Sequence, residues 1–210
     1  MGVGDPQPAR LILASASPRR RELLAQAGYV FEVEAADVDE SRREGEDAAA
    51  YVLRLAEEKA QAVFARHCAE PGDLVRPLVV LGADTCVACE VEGREEILGK
   101  PIDGADAKRM LRLLSNRTHR VLTGVAAVTR AGAISDVVST EVTFSRISEM
   151  EIAAYCATPG PLDKAGAYGI HGYAARWIPR IDGCYFNVMG LPIARTVELI
   201  ESRTRSIVSR

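Results

Sequence analysis

The sequence predicts an α/β fold, and two short apolar runs that each end in a polar turn support this prediction. Residues 11–13 form a continuous apolar run, which is typical of a strand covered on both faces. Ser17 and Pro18 follow this run, and a serine before a proline marks the start of a helix. Residues 78–81 form a second buried run. The chain has 210 residues, enough for one large α/β domain or for two lobes around a cleft.

The composition is ordinary for a soluble globular protein and argues against several classes. Its 48% hydrophobic residues include no run near the roughly 20 that a membrane span requires. A formal net charge of −3 lacks the basic field typical of nucleic-acid binders. Five cysteines, an odd number, argue against a disulfide framework and favour the cytoplasm. Residues 1–8 lack the features of a secretion signal, so we interpret them as a flexible tail and residues 9–210 as a single domain.

The turn between the first strand and the first helix is a candidate anion site. It carries two hydroxyls, Ser15 and Ser17, and the helix then opens with Arg19, Arg20 and Arg21. A helix N-terminus ordinarily favours acidic residues instead, because it carries a partial positive charge. Free N–H groups, hydroxyls and guanidiniums together indicate a phosphate site. The alternative is a solvated basic face on a surface helix, and the composition of this turn does not decide between them.

The next segments predict a half-buried strand, an acidic loop and a long helix. Residues 29–35 alternate apolar and polar side chains as a half-buried strand does. An acidic cluster that includes Glu40 follows, and residues 51–63 then show the apolar stripe of an amphipathic helix. Lys59 lies on or beside that stripe. Its alternative interpretation is a lysine whose stem is buried and whose ammonium reaches water.

The second buried run ends in Asp84 and Thr85, which form the second candidate stretch. In α/β proteins the ligand crevice lies at the carboxyl ends of the strands, where we place Asp84. A buried carboxylate is costly unless a metal, an arginine or a lysine lies beside it. Cys86 and Cys89 form a single CxxC pair, which is a poor zinc signal; packing within a strand explains it better.

A hairpin turn is predicted at residues 92–94, before Lys100 in a Gly-Lys-Pro sequence. The proline restricts the backbone of Lys100, which suits a fixed charge. Residues 105–115 then have the apolar spacing of a helix, which we expect to begin near Asp103.

Two β-rich runs follow at residues 120–128 and 134–144, joined by a turn. Ser148 and Glu151 predict a capping box at the start of a short helix. Neither His119 nor His67 is accompanied by suitably spaced partner residues. We therefore expect both to lie at the surface or in loops rather than to act as ligands.

The last third of the chain contains the third candidate stretch. Residues 159–172 combine glycines and prolines with polar and aromatic groups, a mixture suited to recognising a nucleotide base. Residues 175–181 predict a strand in which Trp177 belongs to the core, and residues 185–188 continue it after a turn. The final helix begins after Gly190.

Together these segments resemble the Maf family of nucleoside triphosphate pyrophosphatases from residue 11 to about residue 200. The matching motifs are ASASPRRRELL at 14–24, EEKA at 57–60, LGADT at 81–85, GKP at 99–101, LDKAGAYGI at 162–170 and GLP at 190–192. The resemblance implies an α/β/α fold with a mixed, elongated sheet, similar to that of inosine triphosphate pyrophosphatases, and two lobes around a cleft. It also implies hydrolysis of a nucleoside triphosphate between the α and β phosphates. The family is often dimeric, so a homodimer is one partner to test for.

The resemblance further implies roles for individual residues. Asp84 is expected to be the general base or a metal-linked carboxylate, and Glu40 would help it hold Mg²⁺ or Mn²⁺. Asp103 is a weaker candidate for the same rim. The residues expected to hold the phosphates are Ser15, Arg19, Arg20, Lys59 and Lys100.

The AYGI sequence, with Arg19 and Thr85, resembles the branch of the family that acts on dTTP and UTP. That branch usually has Gln after Tyr-Gly-Ile, whereas this chain has His171. A Gln amide offers a donor and an acceptor together, while a neutral His offers them on opposite sides of its ring. Pyrimidine preference therefore depends most on this position.

Two other functions are compatible with parts of this pattern. The family was first linked to septum formation, which suggests a nucleotide-binding regulator of cell division without important turnover. A complete set of acidic and basic residues favours an enzyme instead. A phosphotransferase is disfavoured because the chain has no Walker P-loop and no glycine-rich dinucleotide fingerprint.

Overall fold

A computed structural model describes residues 9–68 and 77–208, with the backbone alone for residues 205–208. The predicted tail at residues 1–8 lies outside the described residues. The strands are β1 (Arg10–Leu13), β2 (Glu32–Val33), β3 (Leu78–Val91), β4 (Arg94–Leu98), β5 (Thr118–Thr129), β6 (Gly132–Thr143) and β7 (Arg180–Asp182). The helices are α1 (Pro18–Gln26), α2 (Ala48–Cys68), α3 (Gly104–Leu114), α4 (Glu149–Cys156), α5 (Tyr185–Val188) and α6 (Ile193–Val208), with short 3₁₀ turns at Ala165–Ala167 and Tyr173–Trp177.

The strands form one mixed sheet in the order β2-β1-β3-β5-β6-β7, with β4 paired to the far half of β3. β1 runs parallel to both of its neighbours, and the remaining pairs are antiparallel. β1 pairs only with the beginning of β3, and its last residue, Leu13, lies opposite Leu81. The predicted α/β fold is confirmed, including the strands at residues 11–13 and 78–81.

Helices cover both faces of the sheet, which gives the α/β/α layering. Helix α2 packs on one face, against an apolar cluster that includes Ile12, Val80 and Ala126. On the opposite face lie two separate apolar cores. One joins α1 and α6 to β1 and the first half of β3, and the other joins α3 and α4 to the second half of β3. The two cores correspond to the two lobes that the resemblance implies.

A polar seam separates these two cores. Thr85 lies between them on β3 and Thr123 on β5, and their hydroxyls are 3.0 Å apart. The Thr123 hydroxyl also donates to the carbonyl of the fully buried Asn187, whose amide nitrogen donates to Thr140 Oγ1 at 3.0 Å. Burying a polar group costs free energy unless it is hydrogen bonded, so this chain of bonds stabilises the seam.

Two glycines let α2 approach the sheet unusually closely. A Cβ atom on Gly82 of β3 would lie 2.1 Å from the carbonyl oxygen of Ala56, and one on Gly124 of β5 would lie 2.2 Å from that of Val52. Real Cβ contacts are not this short, so only glycine fits at either position. The backbone of α2 therefore lies directly on the sheet.

Three strand predictions are wrong. The strand expected at residues 29–35 is only Glu32–Val33, because it is an exposed edge that pairs with the short β1. Residues 175–181 are not one strand, because Tyr173–Trp177 forms a 3₁₀ turn that packs Trp177 against Tyr155 and Phe144, leaving β7 as Arg180–Asp182. Residues 185–188 form a helix because the side chain of Asn187 is drawn into the polar seam.

The predicted turns and helix caps are confirmed. Glu92 and Gly93 have positive φ angles of 50° and 74° in the β3–β4 hairpin, as a tight turn requires. Asp103 caps α3 by accepting from the Asp106 N–H at 2.8 Å, and Ser148 forms a capping box at the start of α4. No helix in residues 9–68 or 77–208 is long and apolar enough to cross a membrane.

Candidate active site

One cavity of about 570 Å³ lies where β1 ends and β3 continues beyond it. Segments that are distant in sequence form its walls: the turn before α1, residues 35–40, helix α2, the middle of β3, the Gly-Lys-Pro segment, the loop after α4 and residues 188–190. All the residues for which the sequence predicts a role in the site, except Asp103, line this cavity: Ser15, Arg19, Arg20, Glu40, Lys59, Asp84, Thr85, Lys100 and His171.

The centre of the cavity is a lysine that holds two carboxylates. Lys59 Nζ lies 2.7 Å from Asp84 Oδ1 and 2.6 Å from Glu40 Oε1. Lys59 is only 8% exposed and Asp84 9%, so the ammonium does not reach bulk water, which excludes the alternative of a solvent-reaching lysine. Burial raises the pKa of Glu40, but the hydrogen bond from Lys59 and the charges of Lys59, Lys100 and Arg20 outweigh it, so the pKa is lowered overall.

Asp84 does not lie at the end of a strand, as the sequence predicts, but in the middle of β3. It lies three residues beyond the last pairing of β3 with β1, opposite Gly124 of β5. Asp84 is nevertheless as accessible as a residue at the end of a strand, because β1 has already ended and leaves this edge of β3 unpaired. The carboxylate is consequently open to the cavity although its backbone is held in a regular sheet.

Arg20 binds the protein rather than facing an open site. Its guanidinium donates to the carbonyls of Gly190 and Ala83, both at 2.8 Å, and to the hydroxyls of Ser15 at 3.3 Å and Thr85 at 3.0 Å. Burial lowers the pKa of Arg20, and the nearby carboxylates of Asp84 and Glu40 partly oppose this. These contacts leave few donors for a substrate, so Arg20 is better described as a residue that joins α1, β3 and the turn before α6.

The remaining cationic groups lie at the rim. Arg19 has one partner among the described residues, Asp163, with Nη2 and Oδ2 separated by 3.6 Å. Lys100 is exposed and lines the cavity. Ser15 accepts a hydrogen bond from the backbone N–H of Ser17 at 3.2 Å, which orients its hydroxyl. Two cations and an oriented hydroxyl therefore face the carboxylates across the cavity.

The loop after α4 forms another wall of the cavity, and it contributes Asp163, Lys164, Tyr168 and His171. Burial and the positive charges of Arg19 and Lys164 lower the pKa of His171. The backbone turns at Gly166, whose φ is +66° and whose Cβ would meet Val87 at 2.8 Å, so this loop packs tightly against β3.

A model of the family described as Maf-like protein matches residues 10–203. The chain belongs to the Maf family. Its relatives include a dTTP/UTP pyrophosphatase of Hahella chejuensis (strain KCTC 2396), 49% identical over 94% of this chain and 94% of the relative. The dTTP/UTP pyrophosphatase of Koribacter versatilis (strain Ellin345) is 50% identical over 90% and 92%. That of Vibrio cholerae serotype O1 is 48% identical over 91% and 97%.

Several residues that line the cavity of this Maf protein have no assigned role in the sequence prediction. Tyr51 belongs to the apolar stripe of α2, yet its hydroxyl donates to the carbonyl of Glu40 at 3.0 Å. Its place on α2 two turns before Lys59, on the same face, is the only signal in the sequence. Asp163 and Lys164 are part of the LDKAGAYGI motif, but only the fold brings Asp163 to Arg19. Asp103, by contrast, is absent from the cavity wall and caps α3.

A divalent cation fits the acidic side of the Maf cavity. Mg²⁺ and similar hard cations bind oxygen ligands, and proteins commonly hold them with one or two carboxylates plus substrate phosphates. Glu40 and Asp84 supply two carboxylates that already converge on one cationic group, the ammonium of Lys59. Among the described residues, no three His, Cys, Asp or Glu side chains form a metal-binding group. These two residues would thus hold a cation together with the phosphates of a bound nucleotide.

The prediction that His119 lies at the surface is wrong. It is 2% exposed in β5, with Nε2 2.7 Å from the hydroxyl of Tyr168, and it packs edge-on against Phe144. The alternation of β5 turns its side chain into the core, which a loop assignment misses. His67 is half-buried at the end of α2, with its Nε2 2.6 Å from Glu34.

Burial lowers the pKa of His119 from 6.5 to about 4, so the unfolded chain binds a proton that the native protein excludes between these values. Stability should fall as the pH is lowered through this range, by about 1.4 kcal/mol per unit from this residue. We expect His119→Gln, which keeps a polar partner for Tyr168 but cannot be charged, to flatten the dependence by about one proton. Urea unfolding at several pH values between 7 and 4 measures the free energy of unfolding of both proteins. If this free energy depends on pH in the same way in both, the role of His119 is contradicted.

Proposed function

We propose that this protein is a nucleoside triphosphate pyrophosphatase that hydrolyses the bond between the α and β phosphates of dTTP and UTP. One observation supports it most strongly: the buried Lys59 with its two carboxylates faces a cationic rim across one cavity. The relatives named dTTP/UTP pyrophosphatase support the same activity and substrate class, since their identity extends over nearly the whole of each chain.

The arrangement suggests how the residues divide the reaction. Lys59 fixes Oδ1 of Asp84, and the second oxygen of that carboxylate is left to accept a proton from the attacking water. Arg19, Lys100 and the hydroxyl of Ser15 would bind the β and γ phosphates and neutralise charge on the leaving pyrophosphate. A cation held by Glu40 and Asp84 would polarise the phosphate oxygens. In-line attack at the α phosphorus then releases the monophosphate and pyrophosphate.

The direct test is pyrophosphate release from a panel of nucleotides with Mg²⁺ or Mn²⁺, including purine nucleotides and modified pyrimidines. We expect turnover of dTTP and UTP with nucleoside monophosphate as the second product. Release of inorganic phosphate instead would contradict cleavage between the α and β phosphates. Tight nucleotide binding without turnover would favour the alternative, a nucleotide-binding regulator of cell division. The expected homodimer remains a separate prediction, which light scattering measures.

His171 stands where the dTTP/UTP branch usually has Gln, and we expect it to weaken selection of pyrimidines. In His171→Gln, the amide can donate and accept along one edge of the base, so kcat/KM for dTTP and UTP relative to purine nucleotides should rise about fivefold, as expected for one hydrogen bond. His171→Ala provides the comparison and should lower the same ratio. A ratio unchanged in both variants would show that His171 does not contact the base.

A further inference from the structure

Glu40 is carried by a segment that cannot be held by apolar packing. Residues 39–47, here called the acidic segment, have the sequence DESRREGED, which contains no apolar side chain, and they form no strand or helix. Hydrophobic burial is the usual means of fixing a loop, so this segment must be held by polar contacts. Glu40 itself contributes only its ion pair with Lys59 and the hydrogen bond of its carbonyl with Tyr51.

Arg54 of α2 makes the largest share of these contacts. Its Nε and Nη2 donate to the two carboxylate oxygens of Glu46 at 2.6 and 2.9 Å, and Nη2 also donates to the carbonyl of Ser41 at 3.0 Å. Nη1 donates to Glu58 at 3.1 Å, and Glu58 in turn pairs with Arg43 at 2.8 Å. Arg54 thereby holds the acidic segment near its start, at Ser41, and near its end, at Glu46.

This contact is more than a surface ion pair. The side chains of Arg54 and Glu46 are 12% and 8% exposed, and a bidentate pair has both directional geometry and little screening by solvent. The hydrogen bonds from Arg54 hold the pKa of Glu46 at about 2. The helix turn that carries Arg54 lies between those of Tyr51 and Glu58, so one face of α2 holds the whole acidic segment.

We propose that Arg54 is a positioning residue, which holds the acidic segment against α2 and thereby places the carboxylate of Glu40 beside Lys59 and Asp84. The proposal rests on the proposed function, because it assigns Glu40 to the reacting site. Arg54 does not itself line the cavity; besides the acidic segment it contacts Glu58 and the ring of Tyr51.

The first test measures the segment directly and needs no activity. Arg42 and Arg43 are exposed trypsin sites within the acidic segment. In Arg54→Ala, trypsin should cleave the native protein there about tenfold faster, because the segment opens more often. Arg112→Ala is the matched control, because it removes a bidentate pair between Arg112 on α3 and Glu149 on α4, away from the cavity. An unchanged cleavage rate in Arg54→Ala would overturn the proposal.

The second test asks whether Arg54 acts through Glu40. Loss of an outer partner commonly costs about 10- to 100-fold in activity, so kcat/KM should fall by this factor in Arg54→Ala. In a Glu40→Gln background the same change should cost less than about threefold, because the residue it positions is already lost. Equal losses in both backgrounds would overturn the proposal. If the wild-type protein releases no pyrophosphate, the proposed function fails, but the trypsin result still tests the anchoring.

Arg54→Lys guards against a variant that does not fold. Lysine keeps the charge beside Glu46 but cannot form the two-pronged contact and reach Ser41 as well. Both the cleavage rate and the loss of kcat/KM should lie between those of the wild type and Arg54→Ala. A fall in kcat/KM with wild-type cleavage in the Lys variant would contradict action through the segment.

Discussion

Asp84→Asn should lower kcat by about a thousandfold while the protein stays folded. Asparagine has nearly the same shape as aspartate. Its amide oxygen can still accept the hydrogen bond from Lys59, which spans 2.7 Å to Asp84 in the wild-type protein. It cannot accept a proton from water, and a positioned general base typically contributes 10²- to 10⁴-fold. Single-turnover kinetics with dTTP would show whether the chemical step itself is slowed, and thermal unfolding would show that the fold is retained.

The control for this variant is Asp182→Asn. Asp182 lies in β7, where its exposed carboxylate pairs with Arg180, and it does not line the cavity. Its replacement should leave kcat within about twofold, because exposed pairs contribute little. A kcat for Asp84→Asn within tenfold of the wild type would contradict the assignment of Asp84 as the base.

Lys59→Met should lower both stability and activity. Methionine fills a similar volume without the charge, so Asp84 and Glu40 would face each other with no cation between them. Removing one partner of a buried ion pair typically costs 3–5 kcal/mol, and we expect about 3 because Glu40 is half exposed. Activity on dTTP should fall about a hundredfold, since the orientation of Asp84 is lost. Urea unfolding in EDTA and steady-state kinetics measure the two effects.

The stability defect of Lys59→Met should depend on pH in a defined direction. In the native wild type, Lys59 helps to lower the pKa of Glu40 below its ordinary value of 4.5. The ionised Glu40 therefore stabilises the fold above pH 4.5, and this stabilisation is lost as the pH falls through the lowered pKa of the native protein. The difference between the two proteins should therefore be largest near pH 7.5 and should shrink toward pH 4. Lys108→Met on α3, outside the cavity, is the control and should show no such trend. A difference that does not vary with pH would contradict the electrostatic explanation.

The sequence predicts the parts of this site that depend on local signals. Ser17 and Pro18 mark the start of α1, and the apolar run before Asp84 marks its strand, because capping and burial leave a pattern within a few residues. The bonds of Arg20 leave no such pattern. Its partners include the carbonyls of Ala83 and Gly190, which any residue type supplies and which lie far from Arg20 in sequence.

The wrong predictions have a similar physical origin. His119 is buried through the alternation of a long strand, and Tyr173–Trp177 is a 3₁₀ turn because its rings pack with Tyr155. In both cases tertiary packing outweighs the local preference of the residues. The sequence gives no signal for Arg54, because only the fold brings Glu46 beside it.

The close approach of α2 to the sheet at Gly82 and Gly124 has a consequence for the active site. At these two positions the main chain of α2 lies against the main chain of the sheet, so any larger residue would push the helix away from β3 and β5. Lys59 is on α2 and Asp84 is on β3, so a larger residue at Gly82 or Gly124 would also disturb the 2.7 Å contact between their side chains. Both glycines therefore help to set the geometry of the site, although neither lines the cavity.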